Sequence, residues 1–496
     1  MAITAGTNLN SVPSSQKQTL SSNYLDLSSA DNAGWGQQYV PDLMEKEAEV
    51  FGQRTISGFL AQVGAEEAMT ADQVVWSEQS RLHISVKGTV IVAGSTNGTF
   101  TVTGDIDGNV GTDAGDFIVA NHGVRTNDIV LIASAGIVTQ CLVVDADTAV
   151  IQVEPYDKAD LTGHATGAGA STLLVVGSEY AKGTAYLDGN GSAATSRTPA
   201  NEATFKSFTN KPIIMKDYYE VSGSDASRIG WVEISTEEGA GGYLWYLKAE
   251  ADTRARFNDY VEMAMLESVR GSNSTVVDTT LGAAADAGVG TQGLFDAITD
   301  RGNVTSGVTG VNAATDLAEF DAILAEFDKQ GAIEENMMFV NRATSLAMDD
   351  MLASMNSYGA GGTSYGVFNN SEDMALNLGF SGFRRGSYDF YKSDWKYLND
   401  LATRGSINDR NTAGAVRGVI IPAGTSSVYD ESLGKNLTRP FLHVRYRASA
   451  TESRKMKSWI TGSVGAVTSD LDAMTVNFLT ERCLVTQGAN NFMLMN

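Results

Sequence analysis

The alternation of apolar and charged residues is longest and least interrupted between Gly242 and Gly271. Residues 243–270 contain neither Gly nor Pro, and their apolar side chains recur at helical spacing while charged residues fill the other positions. At 1.5 Å per residue the pattern predicts one helix ~40 Å long, well beyond the average helix of a globular protein. Such a helix favours a large structural subunit, although an ordinary long packing helix accounts for the pattern equally well.

Strand-like alternation dominates the chain before this helix. Residues 74–94 and 207–225 each predict a long strand, and the two strands could pair as one hairpin. Between them, residues 125–157 predict three short apolar strands separated by turn residues, at a spacing typical of a small β-barrel or sandwich. We therefore expect a small β domain inserted near the tip of the hairpin.

Helices and strands are mixed after the long helix. One helix is predicted to begin at a capping box formed by Asp316 and Glu319, and a later one at Asn341, directly after a buried strand. Residues 272–312 are rich in Gly, Ala, Ser and Thr and predict a loop. Short apolar runs then predict strands up to the C-terminus.

The beginning of the chain is polar. Residues 1–40 are rich in Ser, Asn, Gln and Thr, which predicts an extended arm that does not fold alone. Pro41 then stands at the start of a predicted helix whose first turns are acidic. Neither a signal peptide nor an apolar run of ~18 residues is found, so we expect a soluble protein that is made in the cytoplasm and not exported.

Size and charge narrow the functional classes. At 496 residues the chain is too long for a single core, and we expect roughly two to four domains. Its net charge of −24 opposes binding to nucleic-acid phosphates and to anionic membranes. Cys141 and Cys483 lie far apart in strand-like runs, so we expect free, buried thiols in a reducing compartment.

Two short motifs suggest ligand binding only weakly. Residues 288–293 match G-x-G-x-x-G, but no buried strand precedes them, so a loop is the better interpretation. Residues 105–116 place Asp105, Asp107 and Asn109 as in an EF-hand loop, yet the required Gly and final Glu are missing. Two acidic β-turns explain this segment, and a weak surface calcium site is the alternative.

The histidines give no sign of a catalytic or metal centre. They are scattered along the chain without i, i+4 pairs or cysteine partners: His83, His122, His164 and His443. No nucleophile-elbow, P-loop or kinase motif is present either. We therefore expect no catalytic, cofactor-binding or metal-binding residues, and a protein that is not an enzyme.

One basic stretch stands out in this acidic chain. Its members are Arg439, Arg445, Arg447, Arg454, Lys455 and Lys457. These charges could complement acidic surfaces on neighbouring copies of the chain. Alternatively, they mark an edge strand that is protected from pairing by its charge.

The order of predicted elements resembles that of the major capsid proteins of tailed bacteriophages, which have the HK-97-like fold. That order is a polar arm, a short helix, a long hairpin, a long helix, a mixed region and terminal strands. The segments that carry the resemblance are 41–60, 74–82, 210–233, 243–270, 337–352 and 441–459. None of them is a mechanistic motif, so the resemblance rests on pattern and order.

The resemblance implies an α+β fold with a peripheral (P) domain built on a long spine helix, an axial (A) domain, and a β-hairpin called the E-loop. To these the chain adds an inserted small all-β domain and an extended N-terminal arm. The implied boundaries are 1–40 for the arm, 41–73 for a P-domain helix, 74–90 and 205–225 for the E-loop hairpin, 91–204 for the β insertion, 226–285 for the P-domain with the spine helix, 286–438 for the A-domain and 439–496 for the return strands of the P-domain.

The function implied by the resemblance is self-assembly into pentamers and hexamers of an icosahedral shell that encloses the phage genome. Partners would be other copies of the chain, a portal, a separate scaffold and decoration proteins, with DNA enclosed without sequence-specific binding and no membrane involved. The protein would reside in the virion capsid after assembly in the bacterial cytoplasm. The predicted assembly-interface residues are Trp76, Arg81, Lys216, Asp217, Arg445 and Arg447, and those predicted to pack the spine helix are Tyr243, Trp245 and Phe257.

Two other classes of protein share part of this pattern. An S-layer or other self-assembling surface protein has the same acidic, Gly- and Thr-rich composition, but the missing export signal counts against it. A carbohydrate-active enzyme with a β accessory domain would need paired carboxylates in an aromatic cleft, which the sequence does not place.

Overall fold

The computed structural model describes most of the chain after its N-terminal segment. The described residues are 58–60, 65–79, 83–91, 98–111, 117–146, 148–183, 205–226, 233–235, 241–271, 275–283, 288–330, 333–356, 381–408, 415–423, 425–430, 435–463 and 468–496. The predicted arm at 1–40 and the helix start at Pro41 therefore lie outside the described residues. The chain forms two compact units, one from Met1–Asp72 and Lys211–Asn496 and the other from Gln73–Asn210.

Strands predominate among the described elements. They are β1 (Ala65–Met69), β2 (Val74–Gln79), β3 (Ser85–Ile91), β4 (Gly98–Asp105), β5 (Asp128–Ser134), β6 (Ile137–Asp145), β7 (Val150–Pro155), β8 (Ser171–Ser178), β9 (Phe205–Asn210), β10 (Ile213–Ser222), β11 (Glu233–Ser235), β12 (Gly241–Tyr243), β13 (Asn303–Thr305), β14 (Glu335–Val340), β15 (Ser381–Arg385), β16 (Tyr388–Asp394), β17 (Gly418–Pro422), β18 (Thr425–Asp430), β19 (Lys435–Pro440), β20 (Leu442–Arg447), β21 (Lys457–Gly462), β22 (Ala473–Thr486) and β23 (Met493–Met495).

The described α-helices belong to the larger unit. They are α1 (Gly223–Ala226), α2 (Leu244–Glu267), α3 (Thr275–Thr280), α4 (Leu294–Arg301), α5 (Ala313–Gln330), α6 (Arg342–Asn356), α7 (Lys396–Asn399) and α8 (Gly405–Asn408). Single 3-10 turns occur at Val119–Asn121 and Ala489–Asn491. None of the described helices is both long and apolar enough to cross a bilayer.

The smaller unit contains a closed barrel and a two-stranded ladder. The barrel has the strand order β3-β4-β7-β6-β5-β8, and the ladder pairs β2 with β9, the strands that flank the barrel in sequence. In β4 and β5 every second residue points into the barrel and is buried, as period-2 alternation requires. The fully buried interior side chains include Phe100, Ile132, Ile151, Leu161 and Leu173.

The three strands predicted within residues 125–157 are present as β5, β6 and β7. The hairpin, however, is shorter than the sequence suggested. Only β2 and β9 pair with each other, from Val74 opposite Asn210 to Gln79 opposite Phe205. The following strand β3 joins β4 and β8 in the barrel instead of extending the hairpin.

A five-stranded sheet in the larger unit is organised around the 14-residue strand β22. One edge of β22 pairs with β10, and the other pairs in succession with β21 and β20, which in turn pairs with β1. The predicted second hairpin strand is thus divided, because β9 ends at Asn210 and β10 begins at Ile213. Pro212 lies in the gap and lacks the N–H that a continuous ladder would need.

A six-stranded sheet forms the second layer of the same unit, with the order β13-β23-β17-β14-β16-β15. Its central strands are buried on both faces. Phe339 of β14 belongs to a core shared with the end of α2 and with α4, whereas Met338 and Val340 pack with α5 and α6. Near-continuous apolar runs are the expected sequence of strands covered on two sides. The last strand, β23, joins this sheet and not the five-stranded one that contains β20, β21 and β22.

Three local predictions have different outcomes. Asn341 caps α6, since its side-chain oxygen accepts the Thr344 main-chain N–H at 2.8 Å. The capping box at Asp316 is wrong, because α5 begins at Ala313 and Asn312 accepts the N–H of Thr315 at 3.0 Å. The loop predicted for residues 272–312 is also partly wrong, since α3 and α4 lie there.

Candidate assembly interface

Helix α2 is the longest described helix, and it packs on the five-stranded sheet through a small apolar cluster. Phe257 and Val261 of the helix contact Val476 and Phe478 of β22, with Met215 of β10 at the margin. The rings of Phe257 and Phe478 are stacked with centroids 6.1 Å apart. Phe257 therefore holds the middle of the helix to the sheet. Tyr243 and Trp245 were also predicted to pack the helix, but their side chains lie outside the described ones.

The same helix carries a buried carboxylate that holds a distant part of the chain. Glu262 is only 7% exposed, and its Oε1 accepts the main-chain N–H groups of Gly58 at 2.8 Å and Leu60 at 3.1 Å. Burial raises the pKa of Glu262, and the main-chain hydrogen bonds oppose that rise. Residues 58–60 are thus fixed to the C-terminal half of α2.

The C-terminal residue of α2 forms a second carboxylate contact. Glu267 accepts a hydrogen bond from the Tyr397 hydroxyl at 2.7 Å and pairs with Arg404, whose guanidinium also lies over the Phe295 ring. Burial and this bond raise the pKa of Tyr397. The C-terminal half of α2 is consequently attached to the sheet, to residues 58–60 and to the segment that carries α7 and α8.

The basic stretch found in the sequence forms ion pairs within the chain. Arg445 pairs with Glu67 at 2.8 Å, and Glu481 receives Arg447 at 3.2 Å and Arg454 at 2.8 Å. The further pairs are Lys455 and Arg482 with Glu66, Arg447 with Asp72, and Lys457 with Glu452. We call the set made by Glu66, Glu67, Asp72, Arg445, Arg447, Arg454, Lys455, Glu481 and Arg482 the ion-pair cluster.

This cluster changes the interpretation of two predicted interface residues. Arg445 and Arg447 lie on β20, which is an inner strand between β1 and β22, so the edge-strand explanation is wrong for them. Their partners come from β1, from Asp72 and from β22 of the same chain. These ion pairs hold β1 against β20. The two strands are far apart in the sequence, so no local pattern could have indicated that they are neighbours.

The other predicted interface residues are not brought together. Trp76 lies on β2, is 8% exposed and faces Phe208 of β9, with ring centroids 6.2 Å apart. Lys216 and Asp217 lie on β10 in the other unit, opposite β22, and not on the strand that faces Trp76. Arg81 is outside the described residues.

Sequence reasoning missed a row of exposed aromatic and polar groups across the five-stranded sheet. Tyr218 of β10, Asn477 of β22 and Trp459 of β21 stand side by side in register, on the face opposite to Phe478. Tyr218 is 61% and Trp459 36% exposed. Lys216 is exposed on the same face. We call this surface the open sheet face. The alternation of apolar and polar residues in IIMKDYYE could have indicated that one side of β10 is exposed.

The barrel contains a buried polar network around one histidine. His164 lies between Ser134, at 2.8 Å from its Nδ1, and Thr139, at 2.9 Å from its Nε2, while Lys158 donates to Thr139 at 2.9 Å. Burial, with the Lys158 charge adding to it, lowers the pKa of His164. No carboxylate is among these partners, and the network fastens the loop before β8 to β5 and β6.

The two weak ligand motifs serve local structure in the described residues. Asp105 accepts the main-chain N–H groups of Asp107 at 3.0 Å and Asn109 at 2.7 Å, as in a tight turn. Gly290 has a φ of +99° and lies against the end of α2, where a Cβ would come 3.0 Å from the Val269 carbonyl oxygen. Within the described part of the chain, no group of three or more His, Cys, Asp or Glu side chains could hold a metal ion.

No family model and no curated protein matches the chain. Solved structures that are similar include a chain from Microbacterium phage Oxtober96, with 9% identity, a TM-score of 0.38 and coverage of 93% of this chain and 96% of the other. Another, from the capsid of a native GTA particle computed with C5 symmetry, has 12% identity, a TM-score of 0.37 and coverages of 94% and 98%.

A chain from Mycobacterium phage Bobi has 7% identity, a TM-score of 0.35 and coverages of 91% and 94%. These similar chains come from phages and from a capsid. Identity and TM-score are both low.

Proposed function

We propose that the chain is the major capsid protein of a tailed phage, a structural subunit without catalytic function that assembles into pentamers and hexamers of a closed shell. The observation that carries the proposal is α2, a 24-residue helix laid across a sheet whose strands come from distant parts of the chain, residues 65–69, 213–222 and 442–486. The sequence resemblance requires this arrangement for the spine helix of the P-domain.

The attachments of α2 support a mechanical role for this helix. A helix of this length spans about 36 Å at 1.5 Å per residue, and an isolated helix would bend or fray over that distance. Here the Phe257 cluster, Glu262 and Glu267 fix the C-terminal half of the helix to three different parts of the unit. Such a rigid frame lets a subunit transmit contacts from one neighbour to the next.

The open sheet face supports contacts with neighbouring copies. Aromatic side chains are enriched where proteins meet, and Tyr218 and Trp459 leave much of their surface in water in the single chain. Lys216 would add a charge that a neighbouring acidic surface can meet. Arg445 and Arg447 would contribute indirectly, by keeping β1 and β20 in place, and Trp76 by keeping the β2–β9 hairpin formed.

The remaining parts of the proposal concern partners and location. The shell would enclose DNA without specific binding, since a chain with net charge −24 does not attract phosphate groups. A portal, a separately encoded scaffold and decoration proteins would be its other partners. Assembly would take place in the bacterial cytoplasm and the protein would end in the virion capsid.

Negative-stain electron microscopy of the purified chain, alone and with a scaffold candidate, tests the proposal. Closed shells or rings of five and six subunits are expected. Flat lattices would favour an S-layer type of assembly, and monomers or dimers under all conditions would overturn the proposal. A Tyr218→Ala, Trp459→Ala variant should lose assembly, whereas Tyr260→Ala, at an exposed position of α2, should not.

A further inference from the structure

The outer surface of the barrel is divided into two halves of different chemistry. On the first half, nine outward positions along the middle of three adjacent strands carry seven aliphatic side chains and two uncharged polar ones. The charged outward residue Asp145 lies beyond them, at the end of β6 beside Gln152. The nine positions are Thr172, Leu174 and Val176 of β8, Ile129, Leu131 and Ala133 of β5, and Val138, Gln140 and Leu142 of β6. We call this surface the uncharged face.

The second half shows that the barrel does not need an apolar exterior. Strands β3, β4 and β7 point mainly polar side chains outward, including Lys87, Thr99, Thr101, Gln152 and Glu154. Both halves cover the same buried core of Val, Ile, Leu and Phe. The aliphatic character of the first half is therefore a property of that surface and not a requirement of the fold.

The uncharged face is exposed to water in the single chain. Val138 is 61%, Val176 60% and Leu174 40% exposed. Leu131 of β5 stands in register with Leu174 on one side and Gln140 on the other, so the aliphatic groups form one continuous patch.

The charge of the barrel unit indicates what covers this patch. Residues 73–210 contain 14 Asp and Glu residues against seven Lys and Arg residues, so two copies repel each other over most of their surface. The uncharged face is the surface on which like-charged copies can approach without that cost. At its two margins stand Lys87, beside Thr172, and Glu154, beside Leu142.

We propose that the uncharged face binds the same face of a second copy of this chain. The two-fold axis would lie in the plane of the contact, pass through the middle of the face and run perpendicular to the line from Lys87 to Glu154. It would set Lys87 of each copy opposite Glu154 of the other. An isologous contact of this kind is self-complementary in both its apolar centre and its charged margins. The proposal rests on the proposed function, because it assigns one of the contacts between subunits of the shell.

The dimensions of the face make the contact a weak one. Three strands about 4.8 Å apart and five residues at about 3.3 Å each give a patch of roughly 14 by 16 Å. A stable dimer buries about 800 Å² on each partner, which is more than this patch offers. The contact therefore forms when other contacts already hold many copies together, and it adds to the closure of the shell.

Matched double variants of the full chain test the face. Val138→Glu with Leu174→Glu places two charges on the uncharged face, and Thr99→Glu with Thr101→Glu places two on the other half. Both variants should give the circular dichroism spectrum and melting of the unsubstituted barrel. The first should lower the yield of closed particles by about tenfold or more, because like charges facing each other across a contact repel, and the second should leave the yield unchanged.

Cross-linking locates the contact directly. Cys141 and Cys483 are buried, and burial raises the pKa of both thiols to about 12, so neither competes for a maleimide. Leu174→Cys in particles treated with a short bis-maleimide should give covalent dimers, and Thr101→Cys should give none. Dimers from both variants, or from neither, would overturn the proposal, as would equal particle yields from the two double variants.

The outcomes separate this inference from the proposed function. If the unsubstituted chain forms no particles with or without a scaffold, the proposed function fails. The Leu174→Cys chain is then cross-linked at high concentration, where dimers still support the face as a self-contact and their absence overturns it. If particles form but a decoration protein is what protects the thiol of the Leu174→Cys variant from the maleimide, the face binds that protein and the proposal is wrong.

Discussion

The ring of Phe257, on α2, stacks on the ring of Phe478, on β22, with centroids 6.1 Å apart and an angle of 28° between the ring planes. Phe257 is 1% and Phe478 2% exposed, so this pair is the buried point at which the longest described helix meets the longest described strand. The rest of the cluster is small, comprising Val261 and Val476 with Met215 and Met456 at the margin. Loss of one ring should therefore be felt throughout the helix–sheet contact.

Phe257→Ala should destabilise the larger unit by about 3–5 kcal/mol, because it removes a fully buried ring and leaves a cavity against Phe478. The shift is measured as the change in the urea midpoint of the larger unit's unfolding transition. Tyr260→Ala is the matched control on the same helix, since Tyr260 is 46% exposed and its loss should change stability by only about 0.5 kcal/mol. Equal effects of the two substitutions would contradict the packing described for α2.

The contribution of Glu262 to the stability of the larger unit should depend on its hydrogen bonds and on pH. Glu262→Ala leaves the main-chain N–H groups of Gly58 and Leu60 without their acceptor and should cost about 1–3 kcal/mol. Glu262→Gln keeps an oxygen acceptor, so its effect should be much smaller. Thermal melting of the three proteins at neutral pH measures the difference, and an equal loss in both variants would contradict the acceptor role.

The sign of the pH effect follows from the raised pKa of Glu262. A carboxyl whose pKa is higher in the folded than in the unfolded state binds its proton more tightly when folded, so its contribution is present at low pH and is lost as pH rises through the folded pKa. Glu262→Gln removes this loss. The variant should therefore gain stability relative to the unsubstituted chain as the pH rises from about 4.5, the ordinary pKa of a glutamate, towards neutrality; a constant difference would contradict it.

Patterns confined to one element were readable from the sequence. The absence of Gly and Pro between Gly242 and Gly271 predicted α2, which the structure bounds at Leu244–Glu267. The alternating apolar runs at 125–157 predicted β5, β6 and β7 because a barrel strand has one buried face. Asn341 predicted the start of α6, since its amide satisfies a main-chain N–H that the helix cannot.

Relationships between distant segments were not readable. Glu66 and Glu67 meet Arg482 and Arg445 only because β1 lies beside β20, and nothing local to either strand indicates that neighbour. Lys216 was assigned to the hairpin because a continuous strand was read through Pro212, where the structure changes sheets. Pro212 could have indicated the break between the two strands. Nothing in the sequence indicated that β22 would be the partner of β10.

The stability of the barrel should fall in mildly acidic solution. His164 is buried and its pKa is lowered, so below its ordinary value of about 6.5 the unfolded chain takes up a proton that the folded barrel does not. His122 is also buried, with its pKa lowered by desolvation, and contributes in the same direction. Barrel stability should thus be constant above about pH 7 and decrease as the pH falls through about 6.5.

Melting of the full chain between about pH 7.5 and pH 5.5, followed by hydrogen exchange in the barrel strands, measures this decrease. His164→Gln should flatten the pH dependence even if it lowers stability at the alkaline end, because Ser134 and Thr139 lose their ring partner. His83→Gln is the control at an exposed position and should retain the full dependence. An unchanged slope in His164→Gln would show that the buried ring is not the group responsible.

The ion-pair cluster should be sensitive to substitution of its buried carboxylate, whereas the exposed Lys457–Glu452 pair outside the cluster should tolerate substitution. Glu481 is 5% exposed and receives both Arg447 and Arg454, so Glu481→Gln leaves two guanidinium groups without their shared counter-charge. We expect a loss of about 1–3 kcal/mol, below the full cost of breaking a buried pair because both arginines keep some contact with water. Glu452→Gln removes the partner of Lys457 at the surface and should have little effect. Urea unfolding at low and high salt distinguishes the two substitutions, since salt screens the exposed pair more than the buried one. Equal losses of stability from Glu481→Gln and Glu452→Gln would mean that the cluster does not hold β20 and β22 as described.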